Sequence, residues 1–280
     1  MDERMQIGVS TAIFWDYKKL DLPSAIFHSV EGLGFEAVEI HCEDPLFEGW
    51  STEKAEATKK EIKDTLSTLD VGVSLHAPYH DLNIATLNAR VEEEVIRQHK
   101  DCIETARFFG SEIVNVHPGF RSSRKFKREV VFQKMLQNFA EICEIAEDYG
   151  IIICVENLAS KRKAMGVKIS ELKSIIKRVN DENLKLTLDV AHANTTDEEP
   201  RVYARELKDY IQHMHLSDNT GNDDHLSLGQ GNIDFKEVLK KLQPYDGFLI
   251  VEGWIPEDED PFLELDRTKL EEIREELAKP

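Results

Sequence analysis

Cysteine is sparse in this chain and follows no chemical pattern. Cys42, Cys102, Cys143 and Cys154 form no C-x-x-C pair and no zinc-ribbon spacing, and four in 280 residues do not make a disulfide scaffold. A reducing compartment follows, with Cys143 and Cys154 read as small core residues in apolar stretches. Long hydrophobic runs are missing too. No stretch approaches the roughly 20 apolar residues that span a bilayer, and the opening MDERMQIG has no apolar signal core. We therefore expect a cytoplasmic protein with no membrane partner. Positive charge is in deficit, with 35 Lys and Arg against 54 Asp and Glu and a net charge of −19. On average such a surface repels nucleic acid. A Gly-rich phosphate loop is also lacking, since the first strand-like run continues as IGVSTAIF. No internal repeat, linker or low-complexity segment interrupts the chain.

What is present is an alternation of short apolar runs and amphipathic helical stretches. The runs fall at residues 7–10, 37–40, 71–75, 113–116, 151–155, 184–188, 211–214 and 248–251. Helical patterns lie between them at 24–33, 52–69, 91–109, 129–149, 169–179 and 235–242. Gly34, Gly110 and Gly150 each stand between a helical pattern and the next run, as a left-handed helix stop requires. Eight strands interleaved with helices predict a parallel sheet, and closure into a (β/α)8 TIM barrel over one domain of residues 1–280 is the economical architecture. An open doubly wound sheet is the runner-up. The acidic tail from residue 256 to 280 ends in an amphipathic stretch, 263–277, expected as a capping helix.

The polar residues at the ends of the runs carry the chemistry. His76, His117, Glu156, Asp189, His192, His215, Asp223, His225 and Glu252 lie at the C-terminal end of a run or a few residues past it. A parallel barrel gathers those ends at one mouth. Imidazoles and carboxylates together suit zinc, manganese or a related divalent ion. Burying so many of them without a cation would be costly. His213, two residues before His215, reads as a barrel-interior residue or one that stands behind the ligands, and His28, His41, His80 and His99 have no comparable placement. The basic residues are clustered: Arg121, Arg124, Lys125, Lys127 and Arg128 follow one run, and Lys161, Arg162 and Lys163 follow the next. Arg124, Lys125, Lys161 and Arg162 are the expected substrate-binding cations, suited to DNA backbone or a sugar phosphate.

The stretches LHAPY at 75–79, VHPG at 116–119, VEN at 155–157, LDVAH at 188–192, MHLSD at 214–218, DDHLSLGQG at 223–231 and VEG at 251–253 resemble the endonuclease IV group of the xylose-isomerase-like barrels. That resemblance implies up to three zinc ions, with manganese possible, and hydrolysis of the DNA backbone at abasic sites. His76, His117 and Glu156 would hold the most exposed ion. Glu156 would bridge to a second, completed by Asp189, His215 and Glu252. His192, Asp223 and His225 would hold the third. Tyr79 matches a position facing substrate near its phosphate. Glu156 and Glu252 are the expected catalytic residues.

Departures exist. GVSTAIFWD, IHCEDPLFEGW and ASKRKAMG replace the family's usual loops, and VEIHCEDP is closer to the isomerase side of the superfamily. The alternative is therefore a sugar or sugar-phosphate isomerase or epimerase. It would use a single metal on Glu156, Asp189, His215 and Glu252, with Glu156 and Glu252 as the acid–base pair.

Overall fold

The computed structural model describes residues 5–14, 20–43, 49–253 and 259–279. Parts of the loops singled out above, residues 15–16 and 44–48, and the start of the acidic tail at 256–258 lie outside the described residues.

Eight parallel strands close into a barrel in sequential order. They are β1 (Gln6–Ser10), β2 (Ala37–His41), β3 (Gly72–His76), β4 (Ile113–Val116), β5 (Ile152–Glu156), β6 (Leu184–Asp189), β7 (Ile211–Leu216) and β8 (Phe248–Val251). Closure is made by β8 pairing with β1, from Gln6 opposite Phe248 to Val9 opposite Val251. The expected (β/α)8 architecture is observed. Several strands run further than their apolar runs, so His41, His76, Glu156 and Asp189 are terminal strand residues and not loop residues.

The outer layer comprises α1 (Leu22–Phe27), α2 (Glu53–Leu66), α3 (Ala89–Phe109), α4 (Arg128–Tyr149), α5 (Ile169–Val179), α6 (Val190–Asn194), α7 (Pro200–Leu207), α8 (Phe235–Leu242) and α9 (Glu259–Leu277). Local chemistry sets their limits. Thr52 and Asn88 cap α2 and α3 with side-chain oxygens that accept from the first turn. Gly110 and Gly150 end α3 and α4 with φ of 87° and 66°. Two features were not anticipated. The helix expected at 24–33 stops at Phe27 and widens into a π turn over His28–Gly32, and α6 and α7 occupy a stretch for which no helix was named. The C-terminal helix α9 packs against β8 and β1. There Arg274 forks onto both oxygens of Glu36, at 2.5 and 3.1 Å, and onto the Met5 carbonyl at 2.8 Å. Among the described residues no helix is long and apolar enough to cross a membrane.

Alternation along the strands sorts side chains into two layers. Val38, Ile40, Val114, Val116, Leu186 and Leu188 pack in the apolar core with helix residues such as Ile103, Phe139 and Ile142. Their neighbours Glu39, His41, Asn115, Thr187 and Asp189 are buried polar groups facing the lumen. Between β6 and β7 the register slips: Leu186 pairs with Ile211 but Thr187 pairs with His213. Gln212 is thus the extra residue of a bulge, which turns His213 and His215 into the lumen beside Asp189.

Phe139 on α4 is fully buried in the strand–helix core. Phe139→Ala is expected to lower the unfolding free energy by about 3–5 kcal/mol in urea titration. A loss under about 1 kcal/mol would mean that the core is not packed as described.

Candidate metal centre

Glu156, the last residue of β5, is almost completely buried and stands where several elements meet. Its Oε2 accepts from Asn115 Nδ2 of β4 at 2.7 Å. Nitrogens of His76, His117 and His215 approach the same oxygen at 3.4, 3.2 and 3.3 Å. His192 Nδ1 lies 3.1 Å from Oε1. Around this carboxylate the ligand atoms form groups, each within 4.8 Å: His76–His117–Glu156 and Glu156–Asp189–His215, which share Glu156, and beside them His192–Asp223–His225. Glu252 joins none of these groups, but its Oε2 is 3.2 Å from His215 Nδ1. The structure therefore brings all nine sequence-predicted ligands to one mouth of the barrel.

Their placement is enforced locally. Asp189 Oδ1 caps α6 by accepting from the His192 amide at 2.6 Å, which turns the His192 ring back over the mouth. Asn157 clamps the Asp189 backbone through two hydrogen bonds of 2.8 Å. His225 adopts φ of 48°, a conformation disfavoured for a residue with a Cβ. The SLGQG loop is tied down by buried Asp218, whose carboxylate accepts from Gly229 N at 2.8 Å and Ile233 N at 3.2 Å. A Cβ on Gly231 would sit 2.2 Å from Asp218 Oδ1, so glycine is required there.

The site's electrostatics are divided. Burial works against ionisation of Glu156, yet His117 and His215 hold its carboxyl well below the usual range. Burial pushes Glu252 up to about 7, with His215 opposing and Glu39 and Glu156 adding to the rise. Hydrogen bonds from His192 and His225 hold Asp223 low. Adjacent carboxyl groups with opposed proton affinities are the arrangement that acid–base chemistry needs. Two of the buried polar atoms, Asp189 Oδ2 and His215 Nδ1, are shielded without a hydrogen bond. Buried polar atoms left in this state cost free energy that a coordinated cation would recover. The donor set and these orphaned atoms fit a divalent ion.

Above the groups opens a cavity of about 800 Å³. One wall is apolar, with Ile13, Phe120, Leu158, Ala159 and Ala164, and the floor is polar. Tyr79 lines it, its ring stacked on His117 at 4.0 Å. Of the cations expected to bind substrate, Lys161 alone lines the cavity, and it pairs with Asp223 at 2.6 Å. Arg124, Lys125 and Arg162 are exposed and outside the lining. Lys163 lines it instead, donating to the Ser122 carbonyl at 2.8 Å. Arg128 points away to Glu171.

Other residues at the site do not stand out in the sequence. His41 ends β2, stacks on His76 at 4.8 Å and lines the cavity. His80 lines it too, held by the buried carboxylate of Glu43. Glu39, not singled out in the sequence, forms a further group with His215 and with His213, which lies inside the barrel as expected. The period-two spacing of Glu39 with His41, matching that of His213 with His215, was the available signal.

A model of the xylose isomerase-like TIM barrel family matches residues 27–278. The chain belongs to that family. This barrel is 35% identical to an uncharacterised protein of Methanocaldococcus jannaschii over 98% of this chain and 92% of that one. Among solved structures it is similar to a D-tagatose 3-epimerase-like protein, at 32% identity and a TM-score of 0.85, covering 98% of each chain. Fructoselysine 3-epimerase of Escherichia coli O157:H7 is 22% identical over 89% of this chain and 90% of its own. A probable endonuclease 4 of Malacoplasma penetrans is 25% identical over 65% of this chain and 66% of its own. Endonuclease likeness is thus present at low identity, and similarity to epimerase-like proteins extends over more of the barrel.

Adding zinc or manganese to metal-stripped protein is expected to raise the melting temperature, by about 2.7 kcal/mol of stabilisation at a hundredfold excess over Kd. Asp189→Ala is expected to diminish that shift in scanning calorimetry. An unchanged melting curve for the unsubstituted protein would rule out a cation at this centre.

Proposed function

We propose that this barrel is a divalent-metal-dependent isomerase or epimerase of a sugar or sugar phosphate. The observation that carries this reading is the placement of two glutamates about one histidine. Glu156 and Glu252 lie 3.3 and 3.2 Å from His215 Nδ1, with Asp189 alongside, at the floor of the cavity. The 32% identity to a D-tagatose 3-epimerase-like protein supports it. So does the cavity volume of about 800 Å³, a size for a small ligand and not for a duplex.

Glu156, Asp189, His215 and Glu252 would hold the ion. Bound there, it would polarise the carbonyl and hydroxyl oxygens of the substrate and acidify the carbon between them. One glutamate breaks the C–H bond beside the carbonyl by taking the proton. The other gives a proton back, on the opposite face of the carbon for an epimerisation, and both reset by exchange with water. The apolar wall excludes bulk water from the reacting carbon. Lys161 and Lys163 at the rim suit an anionic group on the substrate, such as a phosphate.

A second reading has its own observation. His76–His117–Glu156 and His192–Asp223–His225 are assembled as two further ligand groups, and a one-metal reaction has less need of them. They support the multi-zinc phosphodiesterase of endonuclease IV type, with DNA bearing abasic sites as substrate.

Ketohexoses and their phosphates incubated with metal-loaded protein in D2O are expected to gain deuterium at one carbon beside the carbonyl. Glu156→Gln and Glu252→Gln are each expected to slow this by about 10²–10⁴-fold. Mass spectrometry showing no exchange with any of them, alongside nicking of an abasic duplex, would transfer the assignment to the second reading.

A further inference from the structure

The lumen of a parallel barrel is ordinarily filled by branched apolar side chains. Here the layer beneath the mouth holds a carboxylate between two imidazoles. Glu39, His213 and His215 are each fully shielded from solvent. Glu39 is central in β2 and the histidines alternate on β7, with β1 and β8 intervening, so their contact crosses the lumen. Glu39 Oε2 lies 2.9 Å from His213 Nε2 and 3.1 Å from His215 Nε2.

An ionised carboxylate accepts hydrogen bonds and cannot donate them, so both Nε2 atoms carry hydrogen toward Glu39. A neutral imidazole protonated on Nε2 has its lone pair on Nδ1. In His215 that Nδ1 faces oxygens of Glu156 and Glu252 at 3.3 and 3.2 Å and makes no hydrogen bond. A lone pair set against carboxylate oxygens is repulsive unless a cation or a proton lies between them. Asn115 Nδ2 does not compete for Nε2. It is 3.5 Å away and donates at 2.7 Å to Glu156.

We propose that Glu39 is a positioning residue for the metal centre, holding hydrogen on His215 Nε2 from across the barrel and so committing His215 Nδ1 to the cation. This rests on the metal-dependent reading given above. Glu39, His213 and His215 are also close enough to hold an ion themselves. With both Nε2 atoms donating to Glu39, however, neither has a lone pair left for one. His213 then serves as the second anchor of the carboxylate. Partners that orient a ligating histidine in this way typically contribute 10–100-fold to metal affinity.

Zinc, which is diamagnetic, is titrated into metal-stripped wild type and Glu39→Gln, and ¹⁵N NMR of the zinc-loaded wild type reports which nitrogen of His215 bears hydrogen. The amide in the variant has one accepting oxygen and a nitrogen that can donate to Nε2, so it no longer enforces the required tautomer. The expected result is zinc affinity weakened about 10–100-fold, with unchanged zinc per chain and unchanged circular dichroism. The wild-type spectrum should show hydrogen on Nε2 and zinc on Nδ1. Equal affinity in the two proteins overturns the role of Glu39 and leaves the metal-dependent reading standing. A wild type that binds no zinc overturns both. Loss of a whole ion per chain would make Glu39 a ligand and overturn positioning. If Glu39→Gln does not fold, the wild-type spectrum decides alone, and zinc on Nε2 refutes the proposal.

Discussion

Burying the Glu156 carboxylate at the mouth of a closed barrel requires donors or positive charge on every side of it. The fold meets that requirement from separate elements. Asn115 comes from β4, His117 from the loop after it, His76 from β3, His215 from β7 and His192 from α6. Only parallel closure brings these strand ends together, because each strand leaves its polar residue at the same edge. The bulge at Gln212 then corrects the register so that His215 arrives beside Asp189.

The surrounding charges show how little slack this arrangement has. Asp223 is paired with Lys161 while also lying 3.4 Å from His192 Nε2 and 3.3 Å from His225 Nε2. Glu252 is close to its midpoint at neutral pH, because burial and neighbouring carboxylates oppose its ionisation. A cation among Glu156, Asp189, His215 and Glu252 would relieve the repulsion between them. It would also leave His76, His117, His192 and Asp223 facing the cavity as hydrogen-bonding groups for substrate hydroxyls.

The barrel was legible because strand runs and helical patterns alternate with strict polarity, and the nine residues gathered at its mouth because each lies at the end of an apolar run or a few residues beyond it. Their boundaries were less so. Strand ends such as Glu156 and Asp189 break the apolar pattern while continuing the hydrogen-bonded ladder. Residues within the strands were missed for a related reason. Glu39 reads as an interruption of AVEIH, and only a partner on β7, far away in sequence, explains its burial. The basic clusters misled in the opposite direction. Arg124, Lys125 and Arg162 follow the right strands, but a loop's sequence does not say which of its side chains turn inward, and only Lys161 and Lys163 reach the cavity.

The chemistry open to this centre depends most on where a metal ion sits and how many are bound. Anomalous diffraction from crystals soaked in manganese reads this directly. One dominant peak, within about 2.0–2.3 Å of Glu156 and Asp189 oxygens and of His215 Nδ1, with Glu252 closing the site, is the expected result. Three peaks of equal height, or a lone peak at His192, Asp223 and His225, would contradict it.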